Sequence, residues 1–191
     1  MARDTGRSLR ADAQRNREKI LSAAVRVFAE QGLDAHLERI AKEAEVGSGT
    51  LYRNFPTREV LIEAAYRNEL ARLCDAGPHL LGTLPPREAL RVWMGRFIDY
   101  ATAKFGMAEA LRSVTETGVN PYAQSHDMIL EALTALLDAA AAAGTIRSDI
   151  GPSDMFAALT GIALTSAKPE QREQAERLLD LIMNGLSADR N

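Results

Sequence analysis

Residues 17–61 read REKILSAAVRVFAEQGLDAHLERIAKEAEVGSGTLYRNFPTREVL, and this stretch decides the fold. Ile20, Leu21, Ala24, Val25, Phe28 and Ala29 recur at the spacing of one helical face, and Gly32 closes the run. Leu37, Ile40, Ala41 and Ala44 mark a second, short helix, and a third runs from about Ser48 to Phe55 before Pro56. The tight connection Glu45-Val46-Gly47 between them gives the layout of a helix-turn-helix. Ile40, Ala41, Val46, Leu51 and Phe55 are its expected buried positions, with the small Ala41 where the helices cross. The outward positions of the third helix are then Ser48, Gly49, Thr50, Tyr52, Arg53 and Asn54. They are small or hydrogen-bonding, as a helix entering a major groove requires. Glycine at 49 costs helix stability but lets the backbone approach DNA closely.

Working outward, the first dozen residues are polar and basic and read as a mobile arm. Thr57 is the expected N-cap of a long fourth helix through Leu61, Ala65, Leu70 and Leu73. The segment holding Gly77, Pro78, Gly82, Pro85 and Pro86 breaks the pattern. Further helices follow: Leu90 to about Gly106, Met107 to about Thr115, and Tyr122 to Ala143 with Gly144 as C′ residue. The last two begin with proline, Pro152 and Pro169, at the first helical position. The expectation is an all-α protein of about nine helices, with a head over residues 1–56 and a body over 57–191.

The whole chain has 191 residues, 23 Lys plus Arg, 26 Asp plus Glu, and one cysteine. Its net charge of -3 and pI near 5.7 argue globally against nucleic acid, but the charge is uneven. Residues 1–60 hold 11 basic against 9 acidic groups, whereas the remainder holds 12 against 17. One cysteine makes no internal disulfide and no cysteine metal cluster. No apolar run approaches the ~20 residues of a membrane span, and the basic N-terminus does not read as a signal peptide. A cytoplasmic location is expected, with no membrane partner. For His126 with Glu116 or Asp127 no ligand-like spacing supports a metal. VGSGT lacks the lysine of a phosphate loop and follows no strand. No nucleophile elbow or dinucleotide fingerprint is present, so neither an enzyme nor a bound cofactor is expected.

The stretch REKILSAAVRVFAEQGLDAHLERIAKEAEVGSGTLYRNFPTREVLIEA, residues 17–64, closely resembles the DNA-binding domain of TetR-family transcriptional regulators. Its most specific block is VGSGTLYRNFPTREVL. LRVWMGRFIDYATAKFGMAEAL and AAAAGTIRSDI are similar to the SbtR-like body of one branch of that family. The resemblance implies a three-helix head binding double-stranded operator DNA, a ligand-binding body, and a homodimer formed by the last two helices. Ser48, Gly49 and Thr50 match positions that meet base edges, and Tyr52 and Asn54 positions that meet phosphates. Arg58 matches a position usually filled by a phosphate-binding lysine. Arg15, Arg17 and Lys19 are expected to add phosphate contacts. Three residues depart from the family pattern. His36 stands where a Ser or Thr usually caps the second helix, and Asn54 replaces a frequent histidine. Glu45 replaces a turn glycine and is expected in the left-handed region.

In the body, aromatic residues with a few polar tips are the usual make-up of a small-molecule site. Tyr66, Trp93, Phe97, Tyr100, Leu111, Tyr122, His126 and Ile129 are its candidates, for an effector of largely apolar character. Phe156, Leu159, Ile162, Ala163, Leu178, Leu181 and Ile182 are the candidates for a four-helix dimer interface. The expected function is a ligand-responsive repressor on a palindromic operator; the alternative is a helical interaction adaptor that reads no DNA sequence.

Overall fold

A computed structural model describes residues 2–166 and 171–188. Among them are nine helices: α1 (Ala2–Gln31), α2 (Leu37–Glu43), α3 (Ser48–Asn54), α4 (Arg58–Leu81), α5 (Pro86–Gly106), α6 (Ala108–Glu116), α7 (Ser125–Ala142), α8 (Pro152–Thr165) and α9 (Arg172–Gly185). The all-α expectation holds. The described residues contain no strand, only an isolated antiparallel bridge between Ile146 and Ser187.

Three boundaries differ from the sequence reading. α1 starts at Ala2, so the expected arm is its opening turns. Once a helix is nucleated, extension through proline-free sequence rich in Ala and Arg adds one bond per residue ordered. α4 runs on through Gly77 and Pro78. The proline removes one N–H, but it lies in the last turn. There the Gly82 N–H donates to the Pro78 carbonyl at 3.1 Å and the Thr83 hydroxyl to that of His79 at 3.0 Å. α7 begins at Ser125 rather than Tyr122, because Gln124 has φ +66, which no helix interior accommodates. Pro152 opens α8 as expected, whereas Pro169 lies outside the described residues.

The chain forms two compact units, residues 1–68 with 106–121, and 69–105 with 122–191. In the first, Ile20, Phe28, Ile40, Leu51, Phe55 and Leu61 are fully buried. At ~1.5–3 kcal/mol for each large apolar side chain removed from water, this core holds two helices too short to stand alone. In the second unit, Leu90, Trp93, Leu133, Leu136, Leu159 and Leu179 are fully buried, and the Trp93 indole N–H donates to the Leu73 carbonyl at 2.9 Å. Arg87 ties the loop after α7 to the end of α9, donating to the carbonyls of Thr145 (2.9 Å) and Met183 (2.8 Å). α7 ends as expected on Gly144 at φ +67. The N–H groups of Gly144 and Thr145 donate to the carbonyls of Ala141 and Ala140, which closes a Schellman motif.

Candidate nucleic-acid interface and ligand cavity

The turn between α2 and α3 is built by a second Schellman motif. Glu45 N–H donates to the Lys42 carbonyl at 3.1 Å and Val46 N–H to that of Ala41 at 2.9 Å. Glu45 has φ +56, the left-handed conformation expected when an acid replaces the turn glycine. Its carboxylate accepts from Lys19 Nζ at 2.8 Å, and that ammonium holds it below the usual carboxylate range. Ile40, Ala41, Leu51 and Phe55 are buried as expected; Val46 is only half-buried.

This frame turns one face of α3 outward. Ser48, Gly49, Tyr52 and Arg53 are exposed, and Thr50 and Asn54 half-exposed. A Cβ placed at Gly47 or Gly49 would meet no atom of the protein within 4 Å. Internal packing therefore does not demand either glycine. The side chains that could reach a groove are parked within the protein. Tyr52 hydroxyl donates a long bond to Glu38 Oε1, 3.4 Å, and Asn54 Nδ2 donates to the Thr50 carbonyl at 2.8 Å. Arg53 lies back along its own helix, donating to the Gly49 carbonyl at 3.1 Å and to Thr50 Oγ1 at 3.2 Å.

The remaining basic candidates have structural partners. Arg15 is exposed and paired with Asp12. Arg17 lies with its guanidinium 4.6 Å from the Phe55 ring centre, so it packs on the helix-turn-helix core. Arg58 is half-buried, 5.1 Å over the Phe28 ring, and donates to the carbonyls of Ala35 (2.6 Å) and Gly32 (3.1 Å). It thereby pins the start of α4 to the connection between α1 and α2. His36 is exposed at the N-cap of α2, and its side chain makes no capping bond. At α4, by contrast, Thr57 caps as expected: its Oγ1 accepts from Val60 N–H at 3.3 Å.

The second unit holds a cavity of about 180 Å³ between α5, α7 and α8. Phe97, Tyr100, Tyr122, His126 and Ile129 line it, five of the eight candidates. Tyr66 and Leu111 are buried members of the first unit, and Trp93 is engaged in the core of the second by its bond to Leu73. Sequence reasoning missed Lys104, Phe105 and Thr160 in the lining, and also Phe156, which it had assigned to the dimer face. Phe156 packs edge-on against both Phe97 (5.9 Å between ring centres) and His126 (4.8 Å). Lys104 Nζ sits 4.8 Å from the Tyr122 ring centre, and burial pulls its pKa down. Thr160 Oγ1 is buried and, among the described residues, without a hydrogen-bond partner.

On α8 and α9 the dimer candidates separate by helical face. Leu159 and Ala163 are fully buried within the protomer and Ile162 nearly so. Leu178 and Ile182 are half-buried, and Leu181 is 67% exposed. Leu164, not among the candidates, is 61% exposed. Both helices are apolar on more than one face, and periodicity does not say which face packs at home.

Residues 20–65 match the family described as bacterial regulatory proteins, tetR family. Residues 85–188 match the C-terminal domain described as transcriptional regulator SbtR-like. The chain is similar to the crystal structure of the TetR transcriptional regulator SCO0520 from Streptomyces coelicolor. The two are 72% identical with a TM-score of 0.89, covering 91% of this chain and 99% of that one. A TetR regulatory protein from Mycobacterium vanbaalenii is 33% identical with a TM-score of 0.76, over 94% and 99% of the two chains. An HTH-type transcriptional regulator of Staphylococcus aureus is 38% identical over 63 residues, 32% of this chain and 34% of that protein. The match thus spans about a third of the length of such curated relatives.

Proposed function

The chain belongs to the TetR family of bacterial transcriptional regulators, and from that membership we propose that it acts as a homodimeric repressor released by a small molecule. It is a DNA-binding regulator and not an enzyme. Residues 1–56 form the DNA-reading head in this proposal and residues 57–191 the body for effector and dimer. The observation that carries it is the outward face of α3, where Gly47 and Gly49 border open space and Ser48, Tyr52 and Arg53 are exposed. Ser48, Gly49 and Thr50 approach base edges; Tyr52, Asn54 and Arg53, once swung off its own helix, approach phosphates. Arg15 and His36, exposed on the same unit, add phosphate contacts, whereas Arg17 and Arg58 hold the head in shape.

Two-fold pairing through the exposed and half-exposed Leu164, Leu178, Leu181 and Ile182 presents two such helices to a palindrome. The protein meets its operator in the cytoplasm. Effector binding in the cavity displaces α4, a helix whose residues are divided between the two compact units. Ligand and operator then weaken each other by the same factor, as linkage demands.

Selection from random duplexes at moderate salt tests the reading. Enrichment of a palindrome is expected, and Tyr52→Phe is expected to bind it several-fold more weakly with unchanged thermal stability. A pool in which no palindrome is enriched would favour a helical adaptor instead.

A further inference from the structure

The cavity described above has one feature that an apolar effector leaves unanswered, a lysine that faces no acid among the described residues. We propose that it takes a small organic carboxylate, one apolar ring or its equal in bulk, with the acid held by Lys104 and Thr160 and the ring against Phe97, Phe156 and His126. This rests on the reading of the cavity as the effector site.

Three observations carry the assignment. First, among the described residues no Asp or Glu lines the cavity and Lys104 makes no ion pair. Its ammonium faces the Tyr122 ring at 4.8 Å, a contact that offsets part of the lost hydration but accepts none of its three donors in a conventional hydrogen bond. Burial disfavours its charged form and lowers its pKa, and a bound anion would favour that form. Second, Thr160 brings to the same cavity a buried hydroxyl without a partner, a group that native structures seldom leave unmade. An ammonium and a hydroxyl are both donors, and a carboxylate has two acceptor oxygens. Third, the volume limits the body. A cavity of ~150 Å³ accommodates benzene, so about 180 Å³ leaves room for one ring and a short head group. A neutral amide of the same shape fills the aromatic end but offers a single acceptor oxygen and no charge to the two donors.

The test compares benzoate and phenylacetate with their amides, benzamide and phenylacetamide, by calorimetry on the full chain, its Lys104→Met and Lys104→Arg variants, and Thr160→Val. Acids are expected to bind the wild type at least tenfold more tightly than the amides. Lys104→Met should abolish that preference while keeping amide affinity, Lys104→Arg should retain it, and Thr160→Val should lose several-fold. Equal affinities of acid and amide for the wild type, or no binding of either acid at millimolar concentration, would overturn the proposal. The wild-type comparison stands even if Lys104→Met does not fold. Operator release by the acids is read separately: acids that bind with the expected preference but release no operator would sink the effector reading and leave the ligand class standing.

Discussion

Cys74 is half-buried on α4, and its thiol is pushed up to about 11, first by burial and then by the carboxylates of Asp75 and Glu131. The thiolate is the reactive form, so a thiol this weakly acidic is a poor redox sensor at neutral pH. Titration with a disulfide reagent at pH 8 should find it reacting much more slowly in the native protein than in denaturant; equal rates would contradict the placement. The linkage has a definite sign. The unfolded chain ionises first, near 9.0, so this group contributes its full stability below that pH, and the contribution falls as pH rises toward about 11. Lys104 shows the opposite consequence of burial, since losing water disfavours its charged form and draws the pKa down. Cys74, the single cysteine, read as an inert, partly buried thiol, whereas Lys104 was not distinctive in sequence. A lysine two residues before the end of a helix reads as solvated, and only the fold reveals that Tyr122 and Phe156 enclose the same space.

At the scale of elements, the junction of α5 and α6 carries a steric demand. A Cβ built on Gly106 would lie 2.8 Å from the Ala29 Cβ and 3.2 Å from its Cα, on α1. The second of these is backbone, so no rotamer change relieves it. Gly106→Ala should therefore cost about 1–3 kcal/mol, the range for overpacking, measurable by chemical denaturation. A cost near zero would mean that α1 yields at this junction without loss of packing. The helix-turn-helix was legible before folding because its determinants are local. Spacing fixes the buried faces of α2 and α3, and the run from Glu45 to Gly47 fixes the turn. The cavity was legible only in part. Phe97, Tyr100, Tyr122, His126 and Ile129 line it, but Trp93, one turn before Phe97 on α5, is spent on the core. A helical repeat identifies an apolar stripe without saying where along it the packing stops. Proline was over-read in the same way: Pro78 looked like an end to α4, yet one turn remained beyond Gly77.

For the whole molecule, assembly and charge set the binding behaviour. The exposed Leu181 touches little within the protomer, so Leu181→Glu should change monomer stability by no more than about 0.5 kcal/mol. In the proposed dimer it buries two charges at the interface. Sedimentation should then give half the wild-type mass, with operator binding lost; an unchanged mass would move the interface off this face of α9. The acidic total of -3 hides a head that carries two more basic than acidic groups over residues 1–60. Several of those bases are already paired, Lys19 with Glu45 and Arg26 with Glu43 among them. A single head should therefore hold DNA weakly, with a shallow salt dependence, and a dimer is needed to sum two such attractions.

The empty space beside Gly49 sets folding and recognition at odds. A methyl there meets nothing inside the protein, and alanine is the better helix former by up to about 1 kcal/mol. Gly49→Ala should melt at a higher temperature than wild type while binding operator less well, because in the proposed mode of binding the added carbon stands where the DNA surface comes. A population selected for thermal robustness alone would drift toward this substitution and lose its regulatory function as it became more stable.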